Sequence, residues 1–416
     1  MRSLLLVAAL AAAAHAEPLA ITGATVHVKP GTVVDNATIV IDNGKVVAVG
    51  AGIAIPAGAK QIDAKGKVIT AGLIEGLSGV GLVGVELEAS SVDGRFGPVD
   101  PVHDDPIHAS FEARDGFDAR EVGIAVARIG GGLTTVIAAP AGGLIAGQSA
   151  AFSLDGSATP VRAPAAMHGV IGADGAAAAG GSRGKAIEML RELLDDARAY
   201  GRDKGGYERN AKRRLIADRL DLEALQPVLA GKLPLVVEAQ SEADIRAVLR
   251  LATQFKITVA IVGGAEAWRV AADLAKAKVP VFVDPTANLP ANLAASDVHD
   301  DAVAVLDKAG VPVLISTLGA SGTARTLRQL AGNAVAHGVP WNNALAAVTT
   351  APAALYGLTG RGTLEKGSVA DLVVWSGDPF ETSTVVENVI IAGVAQPMIS
   401  HQTRLLERYR KLPLSR

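Results

Sequence analysis

Cysteine is absent from all 416 residues, so neither a disulfide nor a thiolate ligand or nucleophile is open to this chain. Aromatic residues make up only 3%, which argues against stacking surfaces for carbohydrate or single-stranded nucleic acid. Positive charge is not in excess: 39 Lys and Arg stand against 42 Asp and Glu, a net charge of −3. A phosphate backbone therefore has no electrostatic partner here, and nucleic acid is excluded. Long apolar runs are also scarce. The longest leading one, Leu4 to Ala14, falls short of the roughly 20 residues that span a bilayer.

That run has the form of an export signal. Arg2 supplies the positive start, and Ala14-His15-Ala16 is a small-x-small cleavage site, so residues 1–16 read as a leader. A periplasmic or secreted location after cleavage near Ala16 is the expectation, with no membrane span. What the chain does have is aliphatic bulk. Hydrophobic residues reach 49% and charged residues 19%, enough for a large ordered core rather than disorder.

The two ends look all-β. Ala20 to Val28, Ala37 to Ile41 and Lys45 to Val49 are short apolar or alternating runs, and Asp42-Asn43-Gly44 is a hairpin signal. Gly362 to Trp375 and Val385 to Val394 repeat the pattern at the far end. The middle alternates candidate strands (Val68 to Ile74, Thr134 to Ala138, Ala165 to Ile171, Leu235 to Ala239, Thr258 to Val262, Val281 to Asp284, Val313 to Thr317) with amphipathic helices such as Ala186 to Tyr200 and Glu242 to Gln254. Continuous apolar strands between such helices predict a parallel sheet covered on both faces. A closed barrel needs one more strand, for which Ala151 to Leu154 is the candidate. The expected fold class is α/β: a distorted TIM (β/α)8 barrel over 71–357, with a small composite β-sandwich built from both termini (17–70 plus 358–400) and a tail at 401–416.

Several segments resemble the amidohydrolase superfamily, particularly its imidazolonepropionase-like branch. Gly72-Leu73-Ile74-Glu75 resembles the first barrel strand, Gly131 to Val136 the entry to the second, Ala344 to Ala353 the helix and turn after the last, and Leu364 to Val374 the closing element. The resemblance implies a divalent metal, commonly zinc, at the C-terminal mouth of the barrel. It also implies where the ligands would stand. Leu77 and Gly79 take the place of the first-strand His-x-His pair, Glu238 that of the fifth-strand His, Gly263 that of the sixth-strand His and Thr317 that of the eighth-strand Asp. Conventional metal ligands are thus replaced at all but the glutamate.

A catalytic zinc lowers the pKa of its water from about 16 to about 7, on the order of 12 kcal/mol in making hydroxide. A single general base contributes roughly 10²–10⁴-fold, far less than that. The leading expectation is an exported amidohydrolase-like protein without the metal centre and with no cofactor. It would bind a small molecule or a protein partner, such as an active homologue. The alternative is a hydrolase of C–N bonds, for instance in a cyclic amide, with Glu238 as catalytic residue in a rebuilt site that takes zinc.

Other candidates are His168, Gln148 and Glu86 as binding residues, the last beside Glu88, Asp93 and Arg95. His168 is on the third strand candidate; Gln148 lies in the glycine-rich loop Ala141 to Ser149, which has no Lys and no GxGxxG or Walker spacing. Two acidic-histidine clusters, His103-Asp104-Asp105-Pro106-Ile107-His108 and Asp297-Val298-His299-Asp300-Asp301, are either displaced metal sites, with His103, Asp105 and His108 as alternative ligands, or polar loops and caps.

Overall fold

The structure is a computed structural model, and it describes residues 17–95, 105–209, 211, 213–290, 292 and 295–410. The leader at 1–16, His103 and Asp104 lie outside the described residues.

From the N-terminus the chain forms β1 (Leu19–Lys29), β2 (Thr32–Asp42), β3 (Lys45–Ala51), β4 (Lys60–Asp63) and β5 (Val68–Ala71). Asn43 and Gly44, with φ of 47° and 74°, turn β2 into β3 with the positive angles a tight hairpin needs. A second set follows: β6 (Leu73–Ser78), β7 (Leu133–Ala138), β8 (Ile145–Ser153), β9 (Arg162–Val170), β10 (Leu235–Ala239), β11 (Val259–Gly263), β12 (Val281–Val283) and β13 (Val313–Ile315). The last strands are β14 (Leu372–Trp375), β15 (Val386–Ile391) and β16 (Val394–Ala395).

Two eight-stranded sheets result among the described residues. One runs β16-β15-β14-β5-β1-β2-β3, with β4 paired to β1, so both ends of the chain build it. Ile21, Ile39, Ile69, Leu372 and Ile390 form its core. The other runs from β6 to β13 in order and curls into a nearly closed barrel. Each of its strands contributes to the interior cluster, among them Ile74, Ile137, Ala151, Ala166, Val236, Ala260, Phe282 and Leu314. A side chain on Gly76 would come within 2.7 Å of Phe282, so glycine there makes room for the largest of these. Helices such as Arg183–Arg202 and Glu242–Phe255 cover the outside with Leu190, Leu193, Val248 and Leu251.

The predicted strand Val68 to Ile74 is two strands. The chain leaves one sheet at Ala71 and enters the other at Leu73. Gly72 permits the crossing, because a Cβ there would lie 2.1 Å from the Thr134 side chain. Trp375 ties the sheets together: its indole donates to Thr70 Oγ1 at 2.9 Å, and its ring lies where a Cβ on Gly132 would be.

A second correction concerns strand direction. The sequence predicts a wholly parallel barrel, but β8 is antiparallel to both β7 and β9. The connection Ala139–Leu144 is too short for a helical crossover, which needs a dozen or more residues, so the chain must turn back. The candidate Ala151 to Leu154 therefore marks only the end of a longer strand. β8 holds the third place in the ring, which moves β9 and His168 to the fourth.

Candidate active site at the barrel mouth

The barrel closes between its first and last strands through side chains rather than a ladder. Glu75 is fully buried in this seam. Its Oε1 accepts from the Ser316 hydroxyl at 2.5 Å and the Leu77 amide at 3.3 Å. Its Oε2 accepts from the Thr317 amide at 3.1 Å and the Thr317 hydroxyl at 3.0 Å. Burial pushes the carboxyl up to about 7 from 4.5, and the four hydrogen bonds only partly oppose that shift.

Above this seam lies a cavity of about 350 Å³ at the C-terminal ends of the parallel strands. Leu77, Val236, Val262 and Leu318 give it aliphatic walls, and Gly79 and Gly319 give it bare backbone. His168 and Glu238 face it from adjacent strands. The register pairs Val236 with His168 and Glu238 with Val170, which places the imidazole and the carboxyl on one side of the sheet. Burial lowers His168 to about 3, so its ring is neutral at any physiological pH. Its Nε2 is buried without a hydrogen-bond partner.

Burial also raises the Glu238 carboxyl. A long 3.4 Å bond from Gln240 Nε2 opposes the shift, and the nearby charge of Asp174 adds to it. Gln240 also accepts from the Ala265 amide at 3.3 Å, and its side chain fills the space that any side chain on Gly263 would need. Glu86 and Arg95 are exposed on the rim, where Glu86 accepts from Ser321 Oγ at 3.4 Å.

Other residues singled out from sequence lie elsewhere. Gln148 is buried on β8, but its Nε2 donates to the Ala109 carbonyl and it does not line this cavity. Asp105 accepts from the Ile107 amide, and burial raises its carboxyl. It and His108 belong to a segment that runs along the outside of β8 through the Ile107–Ile145 and Glu112–Gln148 bridges. In the second cluster His299 stands 3.1 Å from Asp297 and edge-on to Trp268, while Asp300 accepts from Asn288. Among the described residues, no group of three or more His, Cys, Asp or Glu is arranged to hold a metal ion.

Comparison with known proteins agrees with this architecture. An amidohydrolase from Thermotoga maritima of known structure is 27% identical, with a TM-score of 0.81 over 91% of this chain and 99% of that one. A profile of the amidohydrolase family matches residues 323–395. This chain belongs to the amidohydrolase superfamily.

More distant structures share the superfamily fold alone. Molinate hydrolase is 18% identical at a TM-score of 0.55, covering 96% of this chain and 98% of that one. Phenylurea hydrolase B is 14% identical at 0.55, covering 92% and 97%. A 61-residue stretch is 44% identical to the amidohydrolase tasK of Hapsidospora irregularis, 14% of this chain and 6% of that protein's length.

Two residues of the mouth escaped the sequence reading. Gln240 follows Glu238 by two positions, so strand periodicity alone places both on one face. Asp174 carried no such signal, because its approach to Glu238 depends on how the helix Gly172–Ala178 follows β9.

Proposed function

We propose that this amidohydrolase-superfamily member is exported, works without the superfamily's metal centre and binds a small molecule in the barrel-mouth cavity. The supporting observation is the donor set. Leu77 and Gly79 offer carbon and backbone, Gln240 fills the space over Gly263, and the Thr317 hydroxyl is committed to Glu75. Glu238 and His168 are two donors where a catalytic zinc takes three protein ligands and a water. These residues do not fit the ion.

The cavity volume lies at the lower end of small-molecule sites, about 300–1,000 Å³, and its aliphatic walls with few polar groups suit such a ligand. Partnership with an active homologue remains compatible with this role, since it requires no chemistry of this chain.

One observation favours a second reading, hydrolysis of a C–N bond. A carboxyl raised by burial and a neutral imidazole share the cavity, as an acid–base pair would. Metal analysis of untagged protein separates the two, combined with turnover assays on a lactam, a hydantoin and a dipeptide. The first reading expects less than stoichiometric metal and no turnover. Stoichiometric zinc with chelator-sensitive turnover overturns it. Turnover that ignores chelators and disappears in Glu238→Gln establishes the second. Export is tested by the N-terminus of the mature protein, expected near Glu17.

A further inference from the structure

Within the ligand-binding reading, on which this step rests, we propose that the mouth cavity selects a small organic cation, an amidinium or ammonium on a compact apolar body, with Glu238 as its counter-ion. Glu238 faces the cavity with one long hydrogen bond, the 3.4 Å contact from Gln240, to serve two carboxylate oxygens. A carboxylate so poorly solvated gains most from an opposite charge brought to it. Among the described residues no cationic side chain pairs with it; the exposed Arg95 sits on the rim, beside the exposed Glu86.

The other charged and titratable groups around it leave the inner wall negative. Asp174 lends negative potential from the helix after β9. His168, 5% exposed, remains an uncharged ring that does not repel a cation. Its buried, unpartnered Nε2 marks the adjacent wall as short of a hydrogen-bond partner. On the rim, Glu86 and Arg95 oppose each other in solvent, where screening weakens both, so the inner field is set by Glu238. Leu77, Val236 and Val262 then take the apolar body of the ligand.

Because burial raises the Glu238 carboxyl, cation binding strengthens as pH rises and that group ionises. Benzamidinium, benzamide and benzoate have nearly one shape and three charges, so titration calorimetry with each reads the preference directly. Wild type is expected to bind benzamidinium roughly tenfold or more tighter than benzamide, and benzoate least. Glu238→Gln, checked for native circular dichroism, is expected to bring benzamidinium and benzamide to similar affinity. Glu188→Gln, at an exposed position of the outer helix Arg183–Arg202, is expected to keep the preference. Binding without favour for the cation, or a preference that survives Glu238→Gln, overturns the inference and leaves a ligand-binding cavity standing. Failure of all three probes to bind also overturns the inference, while the ligand-binding reading stands or falls on the metal and turnover assays.

Discussion

Thr317 donates its backbone amide and its hydroxyl to one oxygen of Glu75, at 3.1 and 3.0 Å. The position at which the superfamily resemblance implies a metal-binding aspartate is therefore part of the barrel's closure. The seam that replaces a β-ladder is a buried carboxyl surrounded by donors, and this has consequences for stability that are separate from ligand binding.

Glu75 makes stability depend on pH. Its carboxyl is about 7 in the fold and 4.5 ordinarily, so the folded state prefers the protonated form. The contribution is fully present below about pH 4.5 and is lost as pH rises to about 7, on the order of 3 kcal/mol in total. Thermal melts of wild type and Glu75→Gln between pH 4.5 and 7.5 are expected to converge at the acid end. Near neutrality the glutamine variant should be the more stable. Parallel curves at every pH would refute the assignment.

Restoring an aspartate at position 317 should not restore a metal site. A second carboxyl there meets Glu75 across the buried seam and removes the Thr317 hydroxyl bond. Thr317→Asp is expected to destabilise the protein by about 3 kcal/mol or more, without zinc uptake, as measured by denaturant titration and metal analysis.

Gly263→His faces two obstacles. The residue has φ of 84°, and its Cβ would fall 2.2 Å from Gln240 Nε2. A loss of about 1–3 kcal/mol is expected. Truncating the obstruction in the double variant with Gln240→Ala should recover part of it. Full stability in the single variant would show that Gln240 moves freely.

The join between the two sheets is open to a similar test. Gly132 has φ of 68°, and a Cβ would lie 2.2 Å from the Trp375 ring. Gly132→Ala is expected to cost about 2–4 kcal/mol. Thr70→Ala, which removes both the acceptor of the Trp375 indole and the hydroxyl that donates to the Ala71 carbonyl, should cost about 1–3 kcal/mol. Chemical denaturation ranks the two.

Much of this architecture is legible in the chain. Strand–helix alternation identifies Leu235–Ala239 to the residue, and Ser241 before Glu242 and Asp244 marks the start of the helix Glu242–Phe255. Ser241 accepts from the Asp244 amide there, as an N-cap should. The direction of β8 is hidden because its nine residues are all buried, and uniform burial carries no sign of parallel or antiparallel pairing. Only the short connection Ala139–Leu144 betrays it. For the site, Glu238 and His168 stand out because a carboxylate and an imidazole are rare in apolar strands. Gln148 reads from the sequence as part of a glycine-rich loop, but it lies on β8 and its amide is taken by a backbone carbonyl. Glu75 was visible as a residue, but its role was not, since Ser316 and Thr317 are some 240 positions away.

The reversal at β8 also bears on how the chain finds its fold. β7, β8 and β9 are successive strands joined by short turns, whereas other neighbours in the ring meet only after a helix has intervened. Contacts between strands close in sequence lose less loop entropy on forming, so this meander is the one piece of the ring able to assemble locally. Pulse-labelled amide exchange during refolding should find its amides protected before those flanking the Glu75 seam, whose partners sit at opposite ends of the barrel sequence and must wait for the circle to complete.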